Sequence, residues 1–126
     1  MPFAIEFSAE SARDFELIFD HLFESYRGFG DGVEEALERA GLRVMGIRAA
    51  AGQLTLLPLR GIVRDDVLPG VRFIAIDRAI YWFDVDETRR RVRVLAVFLA
   101  GQDHVRRMLV RLLGEDVGRR GDRPTD

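Results

Sequence analysis

Arg72, Arg78 and His104, all in the second half of the chain, are the side chains from which a phosphodiester-cleaving site could be built. Arginines would bind the phosphate and stabilise the charge that develops when a 2′-hydroxyl attacks in line, while an imidazole takes the proton. Tyr81 is nearby, and Gln102, Asp103 and His104 fall where a last helix would open. Pairing of adjacent strands would bring Arg72 and Arg78 together. The competing account is structural: Arg72 pairs with Asp65 or Asp66, and Asp103 caps the last helix.

Other chemistries find less to work with. The two histidines, His21 and His104, are far apart and fit no H-x-x-x-H or H-x-E spacing, so no metal site is expected. His21 reads as a boundary residue of a helix. Ser8, Ser11 and Ser25 are the only serines, and none sits in a G-x-S-x-G elbow. No G-x-G-x-x-G follows a strand, and no cofactor is expected. All 19 basic residues are arginine, so no ammonium serves as acid or Schiff-base nucleophile. The carboxylates of the first half read as solvated helix surface.

Charge is unevenly placed. Residues 1–66 carry seven arginines against twelve acids, and residues 67–126 twelve arginines against nine acids. With a net charge of −2, the chain lacks the basic excess that strong non-specific nucleic-acid binding needs. Its 126 residues, 48% hydrophobic, suffice for one buried core. The absence of cysteine excludes a disulfide scaffold. Met1 to Glu6 lacks the pattern of a signal peptide, and no apolar run reaches membrane-spanning length, so a cytoplasmic protein without membrane contact is expected.

The elements that must position these residues follow from periodicity. Phe3 to Phe7 alternates as a half-buried strand. Ser8 stands where an N-cap belongs, with Glu10 in the first turn. Ala12, Phe15, Ile18, Phe19, Leu22, Phe23 and Tyr26 then recur at helical spacing, and Arg13, Asp14, Glu16, Asp20 and Glu24 occupy the remaining surface. That helix is predicted to end near Ser25. The glycines of 28–32 make a turn, and Val33, Ala36, Leu37, Ala40, Val44 and Ile47 begin a second helix, antiparallel to the first. Leu54 to Asp66 reads as a connector. Strands follow at Val71–Ile76, Ala79–Val85 and Arg91–Leu99, the last two joined as a hairpin. Val105, Met108, Leu109, Leu112 and Leu113 mark a helix of about three turns. Residues 1–113 form a single domain in this reading, and 114–126 a polar, flexible tail. The fold class is α+β, a helical hairpin on a mostly antiparallel sheet followed by a C-terminal helix.

Ile80–Phe83 and Val94–Leu99 are apolar on both faces of their strands. The hairpin covers one face, and the other needs the last helix, a second copy of the chain or a partner. Tyr81, Phe83, Leu95, Val97 and Leu99 are accordingly the candidate partner-binding residues.

From Phe3 to about Leu113 the chain resembles the RelE/ParE superfamily of type II toxin–antitoxin toxins. The resemblance is carried by the helix pair, Leu57-Pro58-Leu59-Arg60-Gly61, Gly70-Val71-Arg72, Ala79-Ile80-Tyr81-Trp82, Val92 to Phe98, and Gly101-Gln102-Asp103-His104. The block from Gly70 to His104 is most similar to the ParE branch. The resemblance implies a cognate antitoxin, of ribbon-helix-helix type, laid over the sheet and hairpin. It also implies one of two targets: DNA gyrase, inhibited by protein contact, or the ribosome, on which a RelE-like member cleaves mRNA. Arg72 and Arg78 match basic positions of the RelE-like pattern. Ile74 and Leu99 depart from it, and no Tyr follows Tyr81. The ParE-like alternative needs no catalytic set, and a degenerate toxin kept for complex assembly is a third.

Overall fold

The computed structural model describes residues 3–101 and 103–122, with side chains to Gly114. Gln102 and the end of the expected tail lie outside the described residues. The elements run β1 (Ala4–Phe7), α1 (Ala9–Gly28), α2 (Val33–Ala50), a 3-10 turn (Ala51–Thr55), β2 (Ile62–Val63), β3 (Arg72–Ile76), β4 (Ala79–Asp86), β5 (Arg91–Leu99) and α3 (His104–Asp122). α1 extends three residues past its expected end near Ser25, to Gly28. α3 continues to Asp122, well beyond the apolar stripe that marked it.

Local chemistry sets the helix starts. Ser8 has extended backbone, and its Oγ accepts the Ser11 N–H at 3.1 Å. Asp103 caps α3 as expected, its Oδ1 accepting the Arg106 N–H at 3.2 Å.

The sheet has the order β1-β5-β4-β3-β2. β1 pairs with β5 in parallel, and the other three pairs are antiparallel. The connector therefore contains an edge strand that its composition did not predict. β2 is only two residues long, and Gly61 lets it reach β3. At φ +93° a Cβ on Gly61 would stand 2.5 Å from the Phe73 carbonyl oxygen, a distance that backbone cannot accommodate.

Two apolar layers flank the sheet. On one face Phe15, Ile18, Ile47 and Leu54 of the hairpin side pack on Tyr81, Phe83, Val92, Val94 and Val97. On the other, Met108, Val105 and Leu112 of α3 cover Val71, Ile80, Trp82, Ala96 and Phe98. The face left open by the sequence reading is thus covered by the chain's own last helix.

The double-sided look of β5 has a second cause. Trp82 pairs with Ala96 but Phe83 pairs with Val94, so Leu95 is a bulged extra residue. Before it Val92 and Val94 face the hairpin; after it Val97 and Leu99 do, and Ala96 and Phe98 turn to α3. The bulge shifts the strand's alternation by one, which a strict period of two cannot anticipate.

Candidate partner-binding surface

The fold separates Arg72, Arg78 and His104. Arg72 begins β3 opposite Phe83, whose ring lies in the hairpin-side core, so both side chains stand on that face of the sheet. Its Nη1 donates to the Leu59 carbonyl at 2.9 Å. The expected ion pair with Asp65 or Asp66 is absent, because Asp66 accepts two hydrogen bonds from Arg64, at 2.8 and 2.9 Å, and Asp65 accepts the Gly70 N–H. Arg78 sits at the other end of β3, in the two-residue turn to β4. Asp77 and Arg78 there have φ of +48° and +66°. Four residues of strand, about 13 Å, separate Arg72 from that turn. The expectation that hairpin pairing brings the two arginines together is therefore corrected.

His104 lies on the opposite face. Its ring meets Phe73 edge-on at 4.7 Å and Trp82 at 5.7 Å. Burial holds the imidazole below its ordinary range; Arg64 acts in the same sense and Asp103 opposes it. His104 Nδ1 and Trp82 Nε1 have no hydrogen-bond partner among the described residues. The three candidates occupy two faces and two ends of the sheet, and do not converge on one phosphate.

Of the candidate partner-binding residues, Tyr81, Phe83 and Val97 are fully buried beneath the hairpin and unavailable to a partner in this fold. The Tyr81 hydroxyl donates to the Ile47 carbonyl at 2.5 Å, and burial pushes its pKa up to about 12. Leu95 and Leu99 are half-buried. Only these two remain near a surface.

That surface is the outer edge of β5. β1 pairs only with Arg91–Val94, so the strand beyond has an open side. Side chains satisfy part of it. Ser8 Oγ donates to the Leu95 carbonyl at 3.2 Å, and the Val97 N–H donates to Asp14 Oδ2 at 2.9 Å. Arg111 of α3 donates to both Asp14 carboxylate oxygens, at 2.9 and 2.5 Å, and lies 5.3 Å from the Phe98 ring centre. Asp14, assigned above to the polar face of α1, is in fact 3% exposed. The signal that could have placed it is its spacing: Ser11, Asp14, Phe15 and Ile18 lie at i, i+3, i+4 and i+7, one helical stripe. Arg111 offered no such signal.

Between α1, this edge and α3 opens a groove of about 270 Å³, lined by residues that include Leu17, His21, Leu99, Arg107 and Arg111. It continues over α3 past Phe98, Arg106 and Val110. Leu17 and Val110 are more than half exposed. The groove thus combines an apolar floor, a strand edge and a basic rim. A second cleft, of about 750 Å³, lies at the other end of the sheet and is lined mainly by charged residues. There Arg91 reaches Glu6 at 3.3 Å, and Asp84 stands opposite Arg93 in the strand register. Burial raises the Asp84 carboxyl's pKa against the pull of Arg93, and the neighbouring Asp86 and Glu6 carboxylates push it the same way as burial.

No protein-family model matches this sequence, and no curated protein does. Solved structures do. A chain of the chromosomal ParDE toxin–antitoxin system from P. aeruginosa matches with a TM-score of 0.56 at 21% identity, over 78% of this chain and 96% of that one. The RelBE2 toxin–antitoxin complex from Mycobacterium tuberculosis gives 0.49 at 16% identity, over 79% and 99%. A mutant of the E. coli toxin RelE in the free state gives 0.42 at 15%, over 90% and 99%. The likeness to the ParDE chain places this protein in the same α+β fold.

Proposed function

We propose that this chain is the toxin of a type II toxin–antitoxin system, that its antitoxin is acidic and amphipathic, and that it acts in the ParE manner, inhibiting DNA gyrase by protein contact. The groove at the open edge of β5 is the observation that carries this reading. Apolar floor, a strand edge only partly satisfied by side chains, and Arg106 and Arg107 along the rim suit an acidic segment that buries an apolar stripe. The fold shared with a chain of a ParDE system supports the same reading. The dispersal of Arg72, Arg78 and His104 weighs against the ribonuclease alternative, because charge stabilisation in phosphoryl transfer requires the donors at one point.

The test is expression of the chain with and without the small protein encoded beside it. Alone, the chain is expected to arrest growth, and co-expression should restore it. Arg107→Glu, which reverses one rim charge, should weaken binding of an acidic partner roughly tenfold with little change in stability. Growth without arrest, or a neighbour that neither binds nor rescues, would contradict the proposal.

A further inference from the structure

The helical hairpin is longer than its duty to the sheet requires. Its contributions to the core against the sheet end at Leu22 on α1 and resume at Val44 on α2. From Phe23 to Leu42 the two helices contribute nothing to that core and pack on each other, with Ala36 and Ala40 fully buried between them. On α1 this overhang continues about 9 Å past Leu22 to the helix end at Gly28.

The tip of this arm is held in one conformation. The N–H groups of Phe29, Gly30 and Asp31 donate to the carbonyls of Ser25, Arg27 and Tyr26 at 3.0–3.1 Å. Arg27 donates to the Asp31 carbonyl at 3.1 Å. Arg39 binds the Asp31 carboxylate at 2.5 Å and lies 4.1 Å from the centre of the Tyr26 ring. Gly30, at φ +105°, permits the turn. What this bracing presents is Phe29, 88% exposed. Val33 and Leu37, one turn apart on α2, are nearly half exposed below it.

Charge narrows the occupant. Between Asp20 and Arg39 six carboxylates stand against two arginines, and both arginines are engaged within the tip. The arm is therefore acidic, which disfavours phosphate backbones and the acidic partner suited to the α3 groove. We propose that the arm docks the toxin's protein target, inserting Phe29 into an apolar pocket with a basic rim. This rests on the toxin reading above. The backbone that carries Phe29 is already hydrogen-bonded, so docking need order only the ring, and aromatic anchors dominate interfaces.

The experiment uses the full chain in cells lacking the antitoxin, and compares wild type with Phe29→Ser and with the charge-reversed pair Glu24→Arg/Glu38→Arg. Antitoxin affinity, melting temperature and oligomeric state are measured on the purified proteins. Both variants are expected to lose growth arrest while antitoxin affinity, melting temperature and oligomeric state stay as in wild type. In target binding, Phe29→Ser should cost roughly thirtyfold or more. Variants that arrest growth as wild type does would overturn the arm's role and leave the toxin reading intact. Loss of antitoxin binding would assign the tip to the antitoxin, and a wild-type dimer dissolved by Phe29→Ser would assign it to self-association; either overturns the inference. A wild type that causes no arrest would remove the toxin reading and this inference with it.

Discussion

Asp14 and Arg111 tie the last helix to the first across the edge of β5, and their removal is the most informative single change. Arg111→Ala would leave a buried carboxylate with only the Val97 N–H for company. Breaking such a pair from one side costs about 3–5 kcal/mol, discounted here because the guanidinium is partly solvated. Urea unfolding should show the loss, with Asp14→Asn/Arg111→Met milder than either single change. His104 makes a pH prediction. Burial depresses its folded pKa below the ordinary 6.5, so the unfolded chain binds the proton more readily. Its contribution is whole above about pH 6.5 and fades as the pH falls through the lower folded value. Melting temperature should drop over that window in wild type and less in His104→Phe. Arg78 adopts a left-handed conformation that glycine takes without strain. Arg78→Gly should therefore hold or raise stability, by up to about 1 kcal/mol, and keep the growth arrest. A stable Arg78→Gly protein without toxicity would return Arg78 to chemistry.

At the level of elements, the bulge at Leu95 decides which residues of β5 face which layer. Deleting Leu95 would remove the extra residue and leave Val94 opposite Phe83 and Ala96 opposite Trp82, so Val97 and Leu99 stay toward the hairpin and Ala96 and Phe98 toward α3. The variant should keep its near-ultraviolet circular dichroism and a cooperative melt, with a loss of about 1–3 kcal/mol for the half-buried leucine side chain. Loss of the cooperative melt would show that the bulge itself, and not the pairing on either side of it, holds the two cores in place. The same residue explains the limits of sequence reading. The helix starts, the hairpin turn at 28–32 and the three central strands were legible, because caps, glycines and periodicity are local signals. β2 was not, since two residues carry no period and its place depends on Gly61 approaching the Phe73 carbonyl. Asp14 looked like surface because its partner lies 97 positions away. Of the candidate partner-binding residues named in the sequence reading, Val97 and Leu99 line the groove, together with residues that proximity in space rather than in sequence collects.

For the molecule as a whole, charge is divided between two surfaces. The acidic hairpin arm projects beyond the sheet core, while the α3 rim beside the β5 edge is basic. A partner of one charge would be steered to one surface and repelled from the other. Antitoxin binding at the groove should accordingly weaken as salt rises. Among the described residues no helix is long and apolar enough to cross a membrane. The central claim is that the protein acts by contact with gyrase and not by cutting RNA. Its most direct test is the purified chain added to DNA gyrase in a supercoiling assay, with linear DNA from trapped cleavage complexes measured in parallel. The account predicts loss of supercoiling and accumulation of linear DNA, both reversed by the antitoxin. Untouched supercoiling, together with mRNA cleavage in the A site of ribosomes given the same protein, would contradict it.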